Sequence, residues 1–111
     1  MKKQYKLGVI GGGFMARAIL QGAVRSEFIK AKKVIVADPS QSALAQLEEL
    51  GVECTRDNRV VAANCEYLLI AVKPQTFAAV AEDLHEVSVD KIITIMAGVR
   101  KEKIRAALPW A

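Results

Sequence analysis

Cysteine, histidine, proline and aromatic residues are all scarce in this chain, and each scarcity removes a class of protein. Two cysteines, Cys54 and Cys65, cannot build a disulfide framework or a zinc site without further ligands. They read as small apolar residues of a reduced, cytoplasmic protein. The single histidine, His85, has no carboxylate or second ligand at a useful spacing and reads as a surface residue. Aromatics make up only 5% of the residues, which argues against an aromatic-rich β-sandwich. No apolar run exceeds six residues, Tyr67–Val72 being one of that length, whereas a membrane helix needs about 20. The opening lysines do not start a signal peptide, because Gly8, Gly11, Gly12 and Gly13 break the apolar stretch behind them. The net charge of +4 is mild and its basic residues are scattered, so neither nucleic acid nor membrane is the expected partner. No nucleophile, acid–base pair or metal cluster stands out.

What remains is 111 residues, 52% of them apolar and rich in Ala, Val, Leu and Ile. That length suits one domain with a real core. Short apolar runs alternate with amphipathic stretches. Lys6–Ile10, Lys33–Ala37, Val52–Cys54, Tyr67–Val72 and Lys91–Met96 read as strands. Between them, helices are expected over Phe14–Val24, Gln41–Leu50 (capped by Ser40), a short piece capped by Asp57 or Asn58, and Gln75–Leu84. A last helix is expected over Val99–Leu108. In the first helix, Met15, Ala18, Ile19, Gly22 and Ala23 fall at helical spacing; in the fourth, Phe77, Val80, Ala81 and Leu84 do. Five strands alternating with helices imply an α/β fold, a Rossmann-type doubly wound parallel sheet with helices on both faces. The expected strand order is 3-2-1-4-5, with a crevice where the order reverses, outside the carboxyl ends of strands one and four.

The chemistry gathers at that crevice. Gly11-Gly12-Gly13-Phe14-Met15-Ala16 fits G-x-G-x-x-G/A, after a strand and opening a helix. Gly11 permits a tight turn, Gly13 lets backbone approach a pyrophosphate, and Ala16 is small enough for the helix to lie on the sheet. The helix N-terminus behind the loop favours phosphate. Asp38 ends the second strand, where a carboxylate accepts from ribose hydroxyls and favours NAD over NADP. The alternative is that Asp38 only starts the turn before Ser40, with Arg17, Arg56 or Arg59 reaching a 2′-phosphate. Ala71-Val72-Lys73-Pro74 ends the central strand at the mouth of the crevice, where Lys73 is either a cofactor contact or a solvated lysine. Small residues around Thr94–Gly98 leave room for a nicotinamide ring.

Ile10–Ala16, then Ala71-Val72-Lys73-Pro74-Gln75, then Ala97-Gly98-Val99, together resemble the N-terminal domain of pyrroline-5-carboxylate reductases, over the whole chain. The resemblance implies reduction of 1-pyrroline-5-carboxylate, a small-molecule substrate, to proline with NADP or NAD as cofactor. It implies that the loop Ile10, Gly11, Gly12, Gly13, Phe14, Met15 holds the pyrophosphate. Asp38 stands where the family chooses between ribose and 2′-phosphate, and Asn58 where members place a cofactor-contacting Asn. Ala71, Val72, Lys73 and Pro74 would line the nicotinamide side with Ile95, Met96 and Ala97. Phe14 replaces the family's usual Asn or Gln, and Thr94 and Met96 replace Ser and Ala. Family members continue into a helical domain that dimerises and completes the substrate site. Residues 1–111 are therefore expected to be one dinucleotide-binding domain, a fragment without catalytic residues, from a homo-oligomeric cytoplasmic enzyme. Two other readings stay open: another imine or F420-linked reductase, and a stand-alone nucleotide-sensing module.

Overall fold

A computed structural model describes residues 4–85, 87–89 and 91–94. Strand β1 (Tyr5–Ile10) leads into helix α1 (Phe14–Arg25), and a single 3₁₀ turn at Ala31–Lys33 precedes β2 (Val34–Ala37). Then come α2 (Gln41–Glu48), β3 (Glu53–Thr55), α3 (Asn58–Asn64) and β4 (Cys65–Ile70). A 3₁₀ turn at Pro74–Thr76 opens α4 (Phe77–Leu84), and β5 (Lys91–Thr94) follows. The five strands form one sheet in the order β3-β2-β1-β4-β5, as expected, and all four pairings are parallel.

Parallel strands buried on both faces need apolar residues at every position, and Val34–Ala37 supplies them: all four are buried. Their alternation sorts two cores. Val9, Val34, Val36 and Leu69 face α1 and α2, where Ala16, Leu20 and Leu47 close over them. Ile10, Ile35, Ala37, Leu68 and Ile70 face α3 and α4, meeting Val61, Phe77, Val80 and Leu84. The stripe expected on α4 is buried in full.

The stripe expected on α1 is not. Met15 and Ile19 stand 58% and 37% exposed, Ala18 and Gly22 are exposed, and only Ala23 is half-buried. The buried side is Ala16 and Leu20, with Val24 packed against the same core. The helix carries two apolar stripes, and the glycine turn that launches it decides which one meets the sheet. Ala16, at 1% exposure, lies on the sheet as its small size suggested.

Smaller shifts have local causes. Strand β4 begins at Cys65 rather than Tyr67, because Cys65 pairs with Tyr5; it stops at Ile70, where its partner β1 ends at Ile10. One further bond, Ala71 N–H to the Ile10 carbonyl at 2.8 Å, carries the chain to the rim. Helix α2 stops at Glu48, two residues before Leu50, and Gly51 closes the turn at φ +89°. Ser40 caps α2 as expected, its Oγ accepting from Ala43 N–H at 3.3 Å. Gly8 is a close approach that the pattern did not flag: a Cβ there would lie 2.6 Å from Val61 Cγ1 and 2.8 Å from Cys65 Cβ. Helix α3 therefore rests directly on the β1 backbone. The end of the fifth expected strand, Ile95 and Met96, and the helix expected over Val99–Leu108 lie outside the described residues. Among the described residues no helix is long and apolar enough to cross a membrane.

Candidate dinucleotide site

The ends of β1, β2 and β4 converge on one crevice. Its floor is the glycine turn. Gly11 has φ +105°, donates its N–H to the Ala37 carbonyl at 2.9 Å, and leaves no room for a side chain: a Cβ would sit 2.8 Å from the Ala71 carbonyl oxygen. Only glycine satisfies both conditions. Gly13 behaves oppositely. Its backbone is extended (φ −74°, ψ −171°), and a Cβ would meet nothing within 4 Å. The space over Gly13 is thus open, at the N-cap of α1, where no side chain caps the helix. Uncapped first-turn N–H groups beside an open approach form an anion-binding arrangement.

Asp38 ties this floor to the neighbouring turn. Its Oδ2 accepts from Gly12 N–H at 2.6 Å and its Oδ1 from Ser40 N–H at 2.7 Å. The bond to Ser40 is the turn-starting role considered for Asp38. The bond to Gly12 is additional, and fixes the glycine loop against the β2–α2 turn. Sequence spacing gave no sign of it.

Above the ends of β1 and β2, on the α3–α4 side, lies a cavity of about 270 Å³. Of the expected residues, Ile10, Gly11, Asp38, Asn58 and Val72 line it. Gly12, Gly13, Phe14 and Met15 form the adjoining loop and first turn of α1. Ala71, Lys73 and Pro74 follow β4 along the rim, with Lys73 and Pro74 exposed. Ile95, Met96 and Ala97 lie outside the described residues.

Several lining residues were not picked out from the sequence. Thr76, Ala79, Val80 and Asp83 come from one side of the α4 segment, and Ala37, Pro39 and Arg56 from the ends of β2 and β3. The available signal was the run of small and polar residues at positions 76, 79 and 83, beside the apolar stripe of the same helix. Asn58 is the first residue of α3 and not its cap, which is Asp57, accepting from Arg59 N–H at 2.9 Å. The Asn58 amide Nδ2 instead donates to Asp83 Oδ2 at 3.1 Å, and the Arg59 guanidinium stands 4.0 Å from Asp83 Oδ1. These contacts join α3 to α4 at the edge of the cavity.

The remaining candidates lie elsewhere. His85, at the end of α4, is exposed. Arg17, in the first turns of α1, has its Nε buried without a hydrogen-bond partner. Both cysteines are free. Burial, with Glu48 and Glu53 nearby, pushes the Cys54 thiol from 9.0 up to about 11, as suits an inert packing residue.

The chain resembles known proteins along nearly its whole length. It is 38% identical to the pyrroline-5-carboxylate reductase of Haemophilus influenzae over 109 residues, and 32% identical to pyrroline-5-carboxylate reductase 3 of Rattus norvegicus over 111. These alignments cover 96% and 98% of this chain, and 40% of each relative. The solved structure of a pyrroline-5-carboxylate reductase from Coxiella burnetii superposes with a TM-score of 0.87 at 30% identity, over 95% of this chain and 40% of that one. The chain thus spans about 40% of the length of these relatives. Residues 6–98, from β1 through β5 and past it, match a single family, and the chain belongs to it: NADP oxidoreductase coenzyme F420-dependent.

Proposed function

We propose that residues 1–111 are the dinucleotide-binding domain of a pyrroline-5-carboxylate reductase, holding NADP or NAD. The observation that carries this reading is the pairing of two features on one crevice. One is the open, uncapped N-terminus of α1 at Gly13; the other is the cavity beside Asp38. A dinucleotide would place its pyrophosphate over Gly12 and Gly13, its adenosine in the cavity, and its nicotinamide along Ala71–Pro74 toward Ile95, Met96 and Ala97. Asp38 and Asn58 would meet the adenosine side, and Phe14 and Met15 would flank the phosphates. The residues present fit the group: the loop leaves space where phosphate needs it and carries no side chain there.

When bound, the cofactor supplies the hydride that reduces the imine of 1-pyrroline-5-carboxylate, the step that forms proline. The part of this chain is to bind and orient. Gly11 brings the loop under the phosphates, Asp38 holds Gly12 in place, and the apolar walls exclude water from the base. In the whole protein a further domain would complete the substrate site and join the subunits of a homo-oligomer, in the cytoplasm. The chain's coverage of about 40% of its relatives' length supports that division of labour.

The test is a fluorescence titration of NADPH and NADH against the wild-type chain and Gly13→Val, with circular dichroism as the folding control. Saturable binding by wild type, lost in a folded variant, is the expected result. Equal affinity in both proteins would remove the phosphate assignment.

A further inference from the structure

The cavity separates its hydrogen-bonding character from one end to the other. At the β2 and β3 end lies Arg56, a residue that can only donate. The Asp38 N–H bonds the Thr55 carbonyl at 3.2 Å, so this stretch of chain is locked beside Asp38, at the end that takes the ribose. At the opposite end, in the last turn of α4, lies Asp83, a carboxylate that can only accept. Its partner Asn58 offers it the amide nitrogen, at 3.1 Å. A carboxylate accepts no bond from a carbonyl oxygen, so this contact sets which way the Asn58 amide is turned. Between the two ends the walls are Val72, Ala79 and Val80, which enclose a flat ring without distinguishing one from another. The Thr76 hydroxyl, also on the lining, donates or accepts equally well.

We infer that Asp83, braced by Asn58, is a specificity-determining residue that selects the purine of the cofactor by its 6-substituent. This rests on the dinucleotide reading above and adds which base the site takes. Adenine carries an amino donor at that position; hypoxanthine and guanine carry an oxo acceptor. An acceptor-only carboxylate at the base end welcomes the first and repels the second. A site that hydrogen-bonds an N–H group disfavours the analogue lacking it, because its own polar group is left facing an acceptor.

The experiment compares NADH with nicotinamide hypoxanthine dinucleotide, reduced form, which differs only in that 6-substituent. Affinities are measured by fluorescence for wild type, Asp83→Asn and Arg59→Ala, with thermal unfolding followed in parallel. Wild type should favour the adenine cofactor by about tenfold, the scale of one hydrogen bond to a half-exposed charged acceptor. Asp83→Asn, which can turn its amide nitrogen toward an oxo group, should cut that ratio about fivefold or more, the two affinities moving in opposite directions. Arg59→Ala, which removes the ion pair but leaves Asp83, should keep the wild-type ratio. Equal wild-type affinity for both cofactors overturns the inference and leaves the dinucleotide reading standing. So does an Asp83→Asn variant that lowers both affinities, or stability alone, with the ratio unchanged. Failure of wild type to bind either cofactor sinks the dinucleotide reading, and this inference with it.

Discussion

Replacing Asp38 by Ala should both weaken the fold and reveal what the carboxylate does for a ligand. Two bonds are lost, and they are not equal. The Gly12 N–H is buried in the floor of the crevice and finds no replacement acceptor; leaving such a donor unpaired costs about 1–3 kcal/mol. The Ser40 N–H is exposed, so water takes over and the loss is about 0–1 kcal/mol. Together they come to about 2–3 kcal/mol, which for a domain of this size lowers the unfolding midpoint by about 10 °C. Asp38→Asn should cost nearly as much, because an amide can accept one of the two N–H groups but turns its own donors on the other. Thermal unfolding by circular dichroism reads both variants. A drop of less than about 2 °C in Asp38→Ala would refute the clamp as a stabilising contact. Cofactor affinity then separates two roles. If Asp38 acts by ordering the loop, NADH and NADPH lose affinity together. If it acts by charge, NADPH gains on NADH, since a carboxylate about 6 Å from a 2′-phosphate charge costs about 1–3 kcal/mol at an effective dielectric near 20. The second pattern is expected on top of the first. An unchanged NADH-to-NADPH ratio would remove the charge from the account of cofactor choice.

Three further outcomes are expected. Gly8→Ala should destabilise by about 1–3 kcal/mol through the collision with Val61 and Cys65, and Val61→Ala in the same chain should recover part of that loss, read as a double-mutant cycle of unfolding free energies; additive losses would mean that α3 simply shifts away. Cys54 has its thiol raised from 9.0 to about 11, so at pH 8 it should alkylate about a hundredfold more slowly than an unshifted thiol. Because protonation is favoured in the folded state, its stabilising share is complete below about pH 9 and disappears as pH rises toward 11; Cys54→Ala should flatten that limb, and an identical limb in the variant would assign the fall to other groups. Finally, purified 1–111 should reduce pyrroline-5-carboxylate at no measurable rate even with saturating cofactor, since losing substrate orientation costs about 7–11 kcal/mol, or five to eight powers of ten; turnover within tenfold of a full-length relative would defeat the proposed division between domains.

Alternation of β-branched runs with leucine stripes made the sheet order and most of the helices readable, and on α4 it marked every buried residue. On α1 it marked the wrong face, because Met15 and Ile19 compete with Ala16 and Leu20 at the same period and only the glycine turn chooses between them. The glycine motif and Asp38 were visible as residue types, but the bond between Gly12 and Asp38 joins positions 26 residues apart and has no local signature. The same holds for Asn58 with Asp83, where the partner lies 25 residues away on another helix. Gly8 escaped notice because a lone glycine within a strand looks like a weakness until Val61 is seen resting on it.

The position of β1 at the middle of the sheet has a consequence for how the chain acquires its structure. Its first neighbour, β2, lies within reach early: Leu7 pairs with Val34. Its other neighbour comes much later, since Tyr5 pairs with Cys65, 60 residues downstream. Closing so long a loop must precede the reward of burying Val9 and Ile10 on both sides, which makes assembly a slow, late-committing process typical of parallel sheets. On the ribosome, β1 would wait with one edge unpaired until residues 65–70 have emerged. Truncations that stop short of β4 should therefore populate an aggregation-prone state, whereas those that retain it need only add an edge strand.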